Sequence, residues 1–327
     1  MKAVVITRPG GPEVLEIQDR PEPRPGSSQV RIRVLASGLN RADVSQRLGR
    51  YPAPPGVPAD IPGLEYAGEI DMVGDGATMW SVGDRVMGIV SGGSHAEYVS
   101  VHEREVIAAP HGLGIEECAA IPEVFITAYD AIFSQLRMGA GESLLIHAAG
   151  SGVGTAAVQL AKIAGVKSVG TSRSPDKLHR ASELGLDTSI VVQNDDWPAQ
   201  VRAATDGKGA DGVLDLVGGA YFKGNIEAIA LRGRMIIVGL TAGSSAEIDL
   251  RRVMQKRMTI AGTLMRSRQL EEKIQVARTF SDRIVPMFDD RRLKPVVDRI
   301  MRFADIREAH RIMESNENFG KIVLAWG

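Results

Sequence analysis

The chain of 327 residues carries 39 Lys and Arg against 40 Asp and Glu, a formal net charge of −1, with 44% hydrophobic and 24% charged residues. These values exclude a disordered or fibrous chain and supply no global field to recruit nucleic acid or an anionic membrane, so a small-molecule partner is expected. The single cysteine, Cys118, excludes an intrachain disulfide and a thiolate metal cluster.

The length predicts two domains. The opening apolar run Ala3–Thr7 is too short for a signal-peptide core and ends at Arg8-Pro9-Gly10-Gly11. No stretch approaches the roughly 18 apolar residues of a membrane helix, and the cytoplasm is the expected compartment. Up to about residue 121 the chain reads as an irregular β domain, with strands at Ala3–Thr7, Leu15–Gln18, Gln29–Ala36, Gly68–Val73 and Arg85–Val90. Pro- and Gly-rich punctuation separates them at Pro21–Gly26, Gly74-Asp75-Gly76 and Gly83-Asp84. The segment Asn40–Gly56, polar and then rich in Gly and Pro, is too long for a hairpin turn and reads as a functional loop.

From residue 122 strand and helix patterns alternate. Strands are expected at Leu144–Ala149, Ser168–Ser172, Thr188–Val192, Gly212–Val217, Met235–Gly239 and Thr259–Leu264. Parallel neighbours need crossover helices, so this alternation predicts a doubly wound parallel sheet, an α/β domain over residues 122–264. Its first helix places Val153, Ala157, Leu160, Ala161 and Ala164 on one face and stops at Gly165. Its second starts at the Ser174 cap with Pro175 at the first helical position and stops at Gly185. Beyond it a helix near Gln269–Val285, a strand at Val296–Ile300, a helix at Asp305–Met313 and a strand at Lys321–Trp326 are too few for a third domain. Residues 265–327 are therefore expected to dock onto residues 1–121.

The most informative stretch is Ser143–Gly154, where a buried strand meets a loop almost without side chains. A strand, a small-residue loop and a helix N-terminus together offer free amides and a positive dipole end to a pyrophosphate. The G-x-G-x-x-G frame is imperfect: from Gly150 it meets Thr155, and from Ala149 it reads Ala149, Ser151 and Gly154. At the end of the second strand, where an NAD site carries a carboxylate, the chain reads Ser172-Arg173-Ser174 with Lys177 one turn later. A hydroxyl, a guanidinium and an ammonium suit a 2′-phosphate, so NADPH is expected over NADH. His95, His102 and His111 lie in one region, but their spacings of 7 and 9 match no helical face or compact ligand pair, and no metal site is expected. Cys118, beside Glu116 and Glu117 in an apolar setting, is a poor thiolate.

Several motifs in order carry a resemblance over nearly the whole chain: Gly38–Asp43, Pro62–Gly68, Val82–Val86, Ser151–Ala157, Glu308-Ala309-His310 and Gly320–Leu324. The chain resembles the zinc-independent quinone oxidoreductases of the medium-chain dehydrogenase/reductase superfamily, and within them the tumour-suppressor-inducible group. Zinc alcohol dehydrogenases place a cysteine where Asn40 stands and a His-Glu pair where Leu64-Glu65 stands, and they carry a four-cysteine lobe that is missing here. The resemblance implies a GroES-like β domain from both chain ends, a Rossmann domain between them, a cleft, and a homodimer formed by sheet edges near Thr259–Leu264. It also implies cofactor contacts from Asn40, Thr127, Ser151, Gly152, Val153, Ser172, Lys177, Gly239, Leu240, Leu264 and Lys321, with Arg173 added from its place at the phosphate. Asn40 and Tyr51 correspond to residues flanking the nicotinamide and substrate, and Val192 stands where relatives often carry a tyrosine.

The reaction so implied is hydride or electron transfer from NADPH to a quinone without metal, in which developing oxyanions need hydrogen-bond donors. Tyr51, protonated near neutral pH, is the expected donor, with Asn40 orienting substrate or nicotinamide. Two other readings fit the same residues: an NADPH-dependent enone or alkenal reductase, and an NADPH-binding structural or RNA-binding protein of the lens crystallin type. The balanced charge and the lack of a basic aromatic stripe weigh against RNA.

Overall fold

The computed structural model describes residues 1–326. In chain order the first strands are β1 (Lys2–Ile6), β2 (Leu15–Asp19), β3 (Gln29–Leu39), β4 (Glu65–Val73), β5 (Arg85–Ile89), β6 (Tyr98–His102) and β7 (Ile107–Ala108). Then follow β8 (Ser143–Ile146), β9 (Lys167–Ser172), β10 (Thr188–Val191), β11 (Ala210–Asp215), β12 (Ile229–Ile237), β13 (Thr259–Gly262), β14 (Val297–Arg302) and β15 (Lys321–Ala325). The chain divides into two compact units: Met1–Ile126 together with the residues from Met265 on, and Thr127–Leu264.

The first unit is GroES-like and built on a seven-stranded sheet ordered β14-β15-β3-β4-β5-β7, with β6 also paired to β3. The C-terminal β15 runs antiparallel to β3, pairing Ile322 with Leu39 and Leu324 with Ser37. Strand β3 thus continues three residues past its expected end at Ala36. Ser37 and Gly38 read as breakers in isolation, but β15 supplies their ladder. Gly38 is required there, since a Cβ would lie 2.9 Å from the carbonyl oxygen of Ala119. Buried Val30, Ile32, Val34, Tyr66, Ile70 and Val86 fill one side of this sheet. Leu39, Val44, Phe303, Ile306, Ile322 and Leu324 form a second cluster.

One expected loop is partly a helix. Arg41–Arg47 is α-helical, capped by Asn40, whose backbone N–H donates to the Asp43 carboxylate at 2.8 Å. Apolar periodicity does not reveal this helix because its buried face is polar: Asp43, Gln46 and Arg47 are all withdrawn from solvent beside Val44. The cap pair Asn40-x-x-Asp43 is its only sequence signal.

The second unit is a six-stranded parallel sheet, ordered β10-β9-β8-β11-β12-β13. All six expected strands are present. Strand β12 begins at Ile229 rather than Met235, because the turn-like Arg232-Gly233 is accommodated by Arg232 at φ 62° and by a shift of register against β11. The central strand β8 is buried throughout; the helix Gly152–Ile163 stops within two residues of the expected Gly165, and the helix Pro175–Glu183 starts at the expected Pro175 and stops within two residues of Gly185. Leu145, Val169, Val213 and Met235 from the sheet meet Trp197, Val201 and Ile226 from the helices in the core.

Candidate active site

The polar centre of the first unit is assembled from three distant parts of the chain. The ends of β3 and β15 bring Asn40 and Lys321 together, and β4 opens on Glu65. The Lys321 ammonium, 3% exposed, donates to Leu39 O at 2.8 Å, Asn40 Oδ1 at 2.7 Å and Glu65 Oε1 at 2.6 Å. Asn40 Nδ2 donates to Glu65 Oε1 at 2.9 Å and to Gly38 O at 3.2 Å. The second Glu65 oxygen accepts the backbone N–H of Glu123 at 2.8 Å. All three ammonium protons and both amide protons are therefore used internally. A ligand reaching Asn40 meets one remaining lone pair of Oδ1.

Beside this network Arg266 gathers the segment after Asn40. Its Nε donates to Ser91 O at 2.6 Å, one terminal nitrogen to Tyr51 O at 3.0 Å and the other to Gln46 Oε1 at 2.7 Å. The guanidinium also lies over the Tyr51 ring, 4.9 Å from its centroid. Cation–π stacking on the ring and one hydrogen bond to the backbone carbonyl hold Tyr51 from one side, while the bonds to Ser91 and Gln46 anchor the guanidinium itself. Burial raises the Tyr51 hydroxyl above its ordinary pKa, as does the Glu123 carboxyl, while Arg266 opposes both. The phenol therefore keeps its proton at neutral pH. Arg266, Gln46 and Glu123 escape motif reasoning; Glu65 lies within the Pro62–Gly68 motif, which does not reveal its pairing with Lys321.

In the second unit the small-residue loop has the expected form. Ser151 caps the helix Gly152–Ile163, its hydroxyl accepting from the Gly154 N–H at 3.1 Å. The earliest amides of a helix, here those of Gly152 and Val153, have no intrahelical acceptor. Only hydrogen fits at Gly154, where a Cβ would lie 2.4 Å from Ala148 O, and at Gly239, where it would lie 2.5 Å from Leu216 O. Ala148 turns the chain out of β8 at φ 49°. Thr127 is buried, and its hydroxyl has no hydrogen-bond partner among the described residues. An orphaned hydroxyl, free amides and a cradle closed to side chains fit a nucleotide's polar groups.

Ser172 ends β9, its hydroxyl accepting from Ser174 N at 3.1 Å, and Ser174 in turn caps the helix bearing Lys177. Arg173 is exposed next to them. Leu240 and Leu264 are both more than half exposed.

Below the loop lies a polar chain that the sequence does not announce. His147, fully buried, has Nδ1 2.7 Å from Thr171 Oγ1 and Nε2 2.6 Å from Asn225 Oδ1. Asn225 Nδ2 donates to Asp215 at 2.9 Å, and the other Asp215 oxygen accepts from Val217 N and Gly218 N, each at 2.8 Å. Burial lowers the imidazole pKa, so the ring is neutral despite the nearby Asp215 carboxylate. Trp197 and Tyr221 stack 5.5 Å apart and both meet the His147 ring edge to face. Val192 and Tyr221 both pack against this core.

The zinc positions of the superfamily fail a test of fit. Asn40 and Glu65 hold an ammonium at 2.7 and 2.6 Å, which a divalent cation would have to displace. No group of three or more His, Cys, Asp or Glu side chains among the described residues has metal-binding geometry. His95 is buried edge-on to Phe303, and His102 accepts from the Arg104 N–H. Burial pushes the Cys118 thiol up to about 11.

Residues 26–111 match the alcohol dehydrogenase GroES-like domain family, and residues 152–281 match the zinc-binding dehydrogenase family. The chain is 32% identical to a quinone oxidoreductase of Rattus norvegicus over 99% of this chain and 97% of that one. Among solved structures, a quinone oxidoreductase of Pseudomonas syringae pv. Tomato superposes with a TM-score of 0.91 at 30% identity, covering 99% of each chain. An NAD-dependent alcohol dehydrogenase superposes at 0.89 with 36% identity over the full length of both. With this sheet topology and these full-length likenesses, the chain belongs to the medium-chain dehydrogenase/reductase superfamily, in its quinone oxidoreductase group.

Proposed function

We propose that the protein is a quinone reductase that uses NADPH and works without metal. The observation that carries the reading is the saturated Lys321–Glu65–Asn40 network, which fills the polar centre of the first unit with an ammonium and leaves a tyrosine as the nearby donor. Bound NADPH supplies the hydride. The Gly152 and Val153 amides and Thr127 bind its phosphates and ribose, while Ser172, Arg173 and Lys177 hold the 2′-phosphate at a strand end, Ser172-Arg173-Ser174, that carries no carboxylate. Tyr51, its ring fixed by Arg266, donates to the oxygen on which charge develops. The protein is further proposed to dimerise along β13, the outermost strand of its sheet. No helix among the described residues is long and apolar enough to cross a membrane.

The test is an acceptor panel followed through nicotinamide absorbance, with 1,2-naphthoquinone and a small alkenal, each with NADPH and NADH. Fast turnover of the quinone with NADPH is expected. A preference for the alkenal supports the enone reading, and tight NADPH binding without turnover supports the binding-protein reading. Tyr51→Phe is expected to lower kcat about 10- to 100-fold with unchanged NADPH binding.

A further inference from the structure

The polar chain through His147 lies wholly within the parallel-sheet unit, and the proposed reaction gives it no task. Its members stand at the ends of three adjacent strands: Thr171 in β9, His147 directly after β8, and Asp215 closing β11. Asn225 reaches in from the helix Phe222–Ala228. All four are buried, at 1% exposure or less. The donors give the chain one direction. Asp215 Oδ1 accepts from Val217 N and Gly218 N and Oδ2 from Asn225 Nδ2, so the Asn225 oxygen faces His147. The imidazole, kept neutral by burial, then donates from Nε2 and accepts at Nδ1 from the Thr171 hydroxyl. Trp197 and Tyr221, edge to face with the ring at 4.9 and 5.0 Å, hold its plane.

Both ends of this chain join backbone that carries the expected nucleotide contacts. Thr171 directly precedes Ser172 and Arg173, and its carbonyl accepts the N–H of Ala149 in the small-residue loop at 3.0 Å. The Asp215 carbonyl accepts the N–H groups of Val238 and Gly239 at 2.8 and 3.2 Å. The Asp215 side chain also holds the turn Val217-Gly218, where a Cβ on Gly218 would lie 2.8 Å from the Leu240 side chain and 3.0 Å from Gly239 O. We infer that His147 is a positioning residue for the dinucleotide, clamping the β9 corner that meets the 2′-phosphate to the β11 turn that backs Gly239 and Leu240. The inference rests on the cofactor half of the proposed function and not on the identity of the acceptor. Thr171 is the arm toward the adenosine end, and Asn225 the arm toward the nicotinamide end. Cutting the first arm weakens NADPH more than NADH, since only NADPH carries a group for Ser172, Arg173 and Lys177. Cutting the second weakens both alike. One arm can contribute at most about one hydrogen bond, a factor of about 2 to 10 in affinity.

Calorimetric titration of the full chain with NADPH and with NADH tests this without turnover. Thr171→Val keeps the side-chain shape and removes the hydroxyl. Its Kd for NADPH is expected to rise about 3- to 10-fold while that for NADH stays within about twofold. Thr171→Ser, which keeps the hydroxyl, should return to wild-type values, and Asn225→Ala should raise both constants by the same factor. In proton NMR spectra of the cofactor-free protein, the His147 Nε2–H, identified by its loss in His147→Leu, is expected as a slowly exchanging downfield signal that exchanges faster in Thr171→Val. Unchanged affinities for both cofactors in Thr171→Val overturn the inference. An equal loss for both also overturns it, because Thr171 would then be a general prop of the sheet. A wild type that binds neither dinucleotide overturns the cofactor reading together with this one, whereas a failure of His147 alone leaves wild-type NADPH binding intact. Tight NADPH binding without quinone turnover defeats only the acceptor reading, and the affinity pattern of the Thr171 variants still decides the role of His147.

Discussion

Each unit buries a polar chain, and the two chains are built on different electrostatic principles. In the first unit a full charge pair, Lys321 with Glu65, is 4% and 0% exposed and is bridged by Asn40. In the second, a neutral imidazole links a hydroxyl to an amide, and the chain ends on Asp215, which accepts from two backbone N–H groups and the Asn225 amide rather than from a cation. Burying a charge pair gains little net stability but makes the loss of either partner severe, whereas a neutral chain loses one hydrogen bond at a time. The same degree of burial thus predicts unequal sensitivity to mutation.

The largest expected effect breaks the charged chain. Lys321→Met strands the Glu65 carboxylate, and a loss of about 3–5 kcal/mol in unfolding free energy is expected from denaturant titration. Adding Glu65→Leu should recover part of that loss; a double variant weaker than Lys321→Met would show that the pair itself is strongly net stabilising. The neutral chain should give less: His147→Leu leaves Thr171 and Asn225 without their shared partner, for about 1–3 kcal/mol. Equal losses at the two sites would remove the distinction drawn between them.

A third effect is visible only against pH. Glu123 has a folded pKa of about 8, above its unfolded value, so its contribution is full below about pH 4.5 and is lost as pH rises toward 8. Glu123→Gln should therefore gain stability relative to wild type between about pH 5 and about pH 8 in thermal melts, and no gain would place the carboxyl in a wetter setting. The smallest effect concerns the exposed side of the second unit. Lys177→Ala is expected to raise the KM for NADPH about 10-fold while leaving that for NADH within about twofold, measured by steady-state kinetics. Equal changes for both cofactors would remove the phosphate role.

What was legible in the sequence follows the range of the interactions. The six parallel strands announce themselves through short apolar runs, and Ser174-Pro175 and Gly165 mark helix ends, because those signals act within a few residues. The loop Ser143–Gly154 was readable for the same reason, including the residue, Gly154, at which a side chain cannot fit. The helix Arg41–Arg47 was hidden because what it buries is polar. Asn40 was singled out by position, but its engagement with Lys321, 281 residues away, is a product of β15 pairing with β3. Glu123 and Arg266 carry no motif, and their importance lies in what surrounds them.

The order of the chain has a consequence for how the protein is made. Residues Thr127–Leu264 form a contiguous unit, so every strand of the parallel sheet emerges from the ribosome before the next segment is needed. Glu65 leaves the ribosome early, yet its counter-ion lies in the last strand, β15. During synthesis that carboxylate has no Lys321 ammonium to pair with, and β3 lacks its neighbour at Ser37–Leu39. The nascent first unit must therefore stay open around Glu65 until the C-terminal strand arrives, and ribosome-bound chains halted before residue 321 should carry a folded second unit beside an unfinished first one.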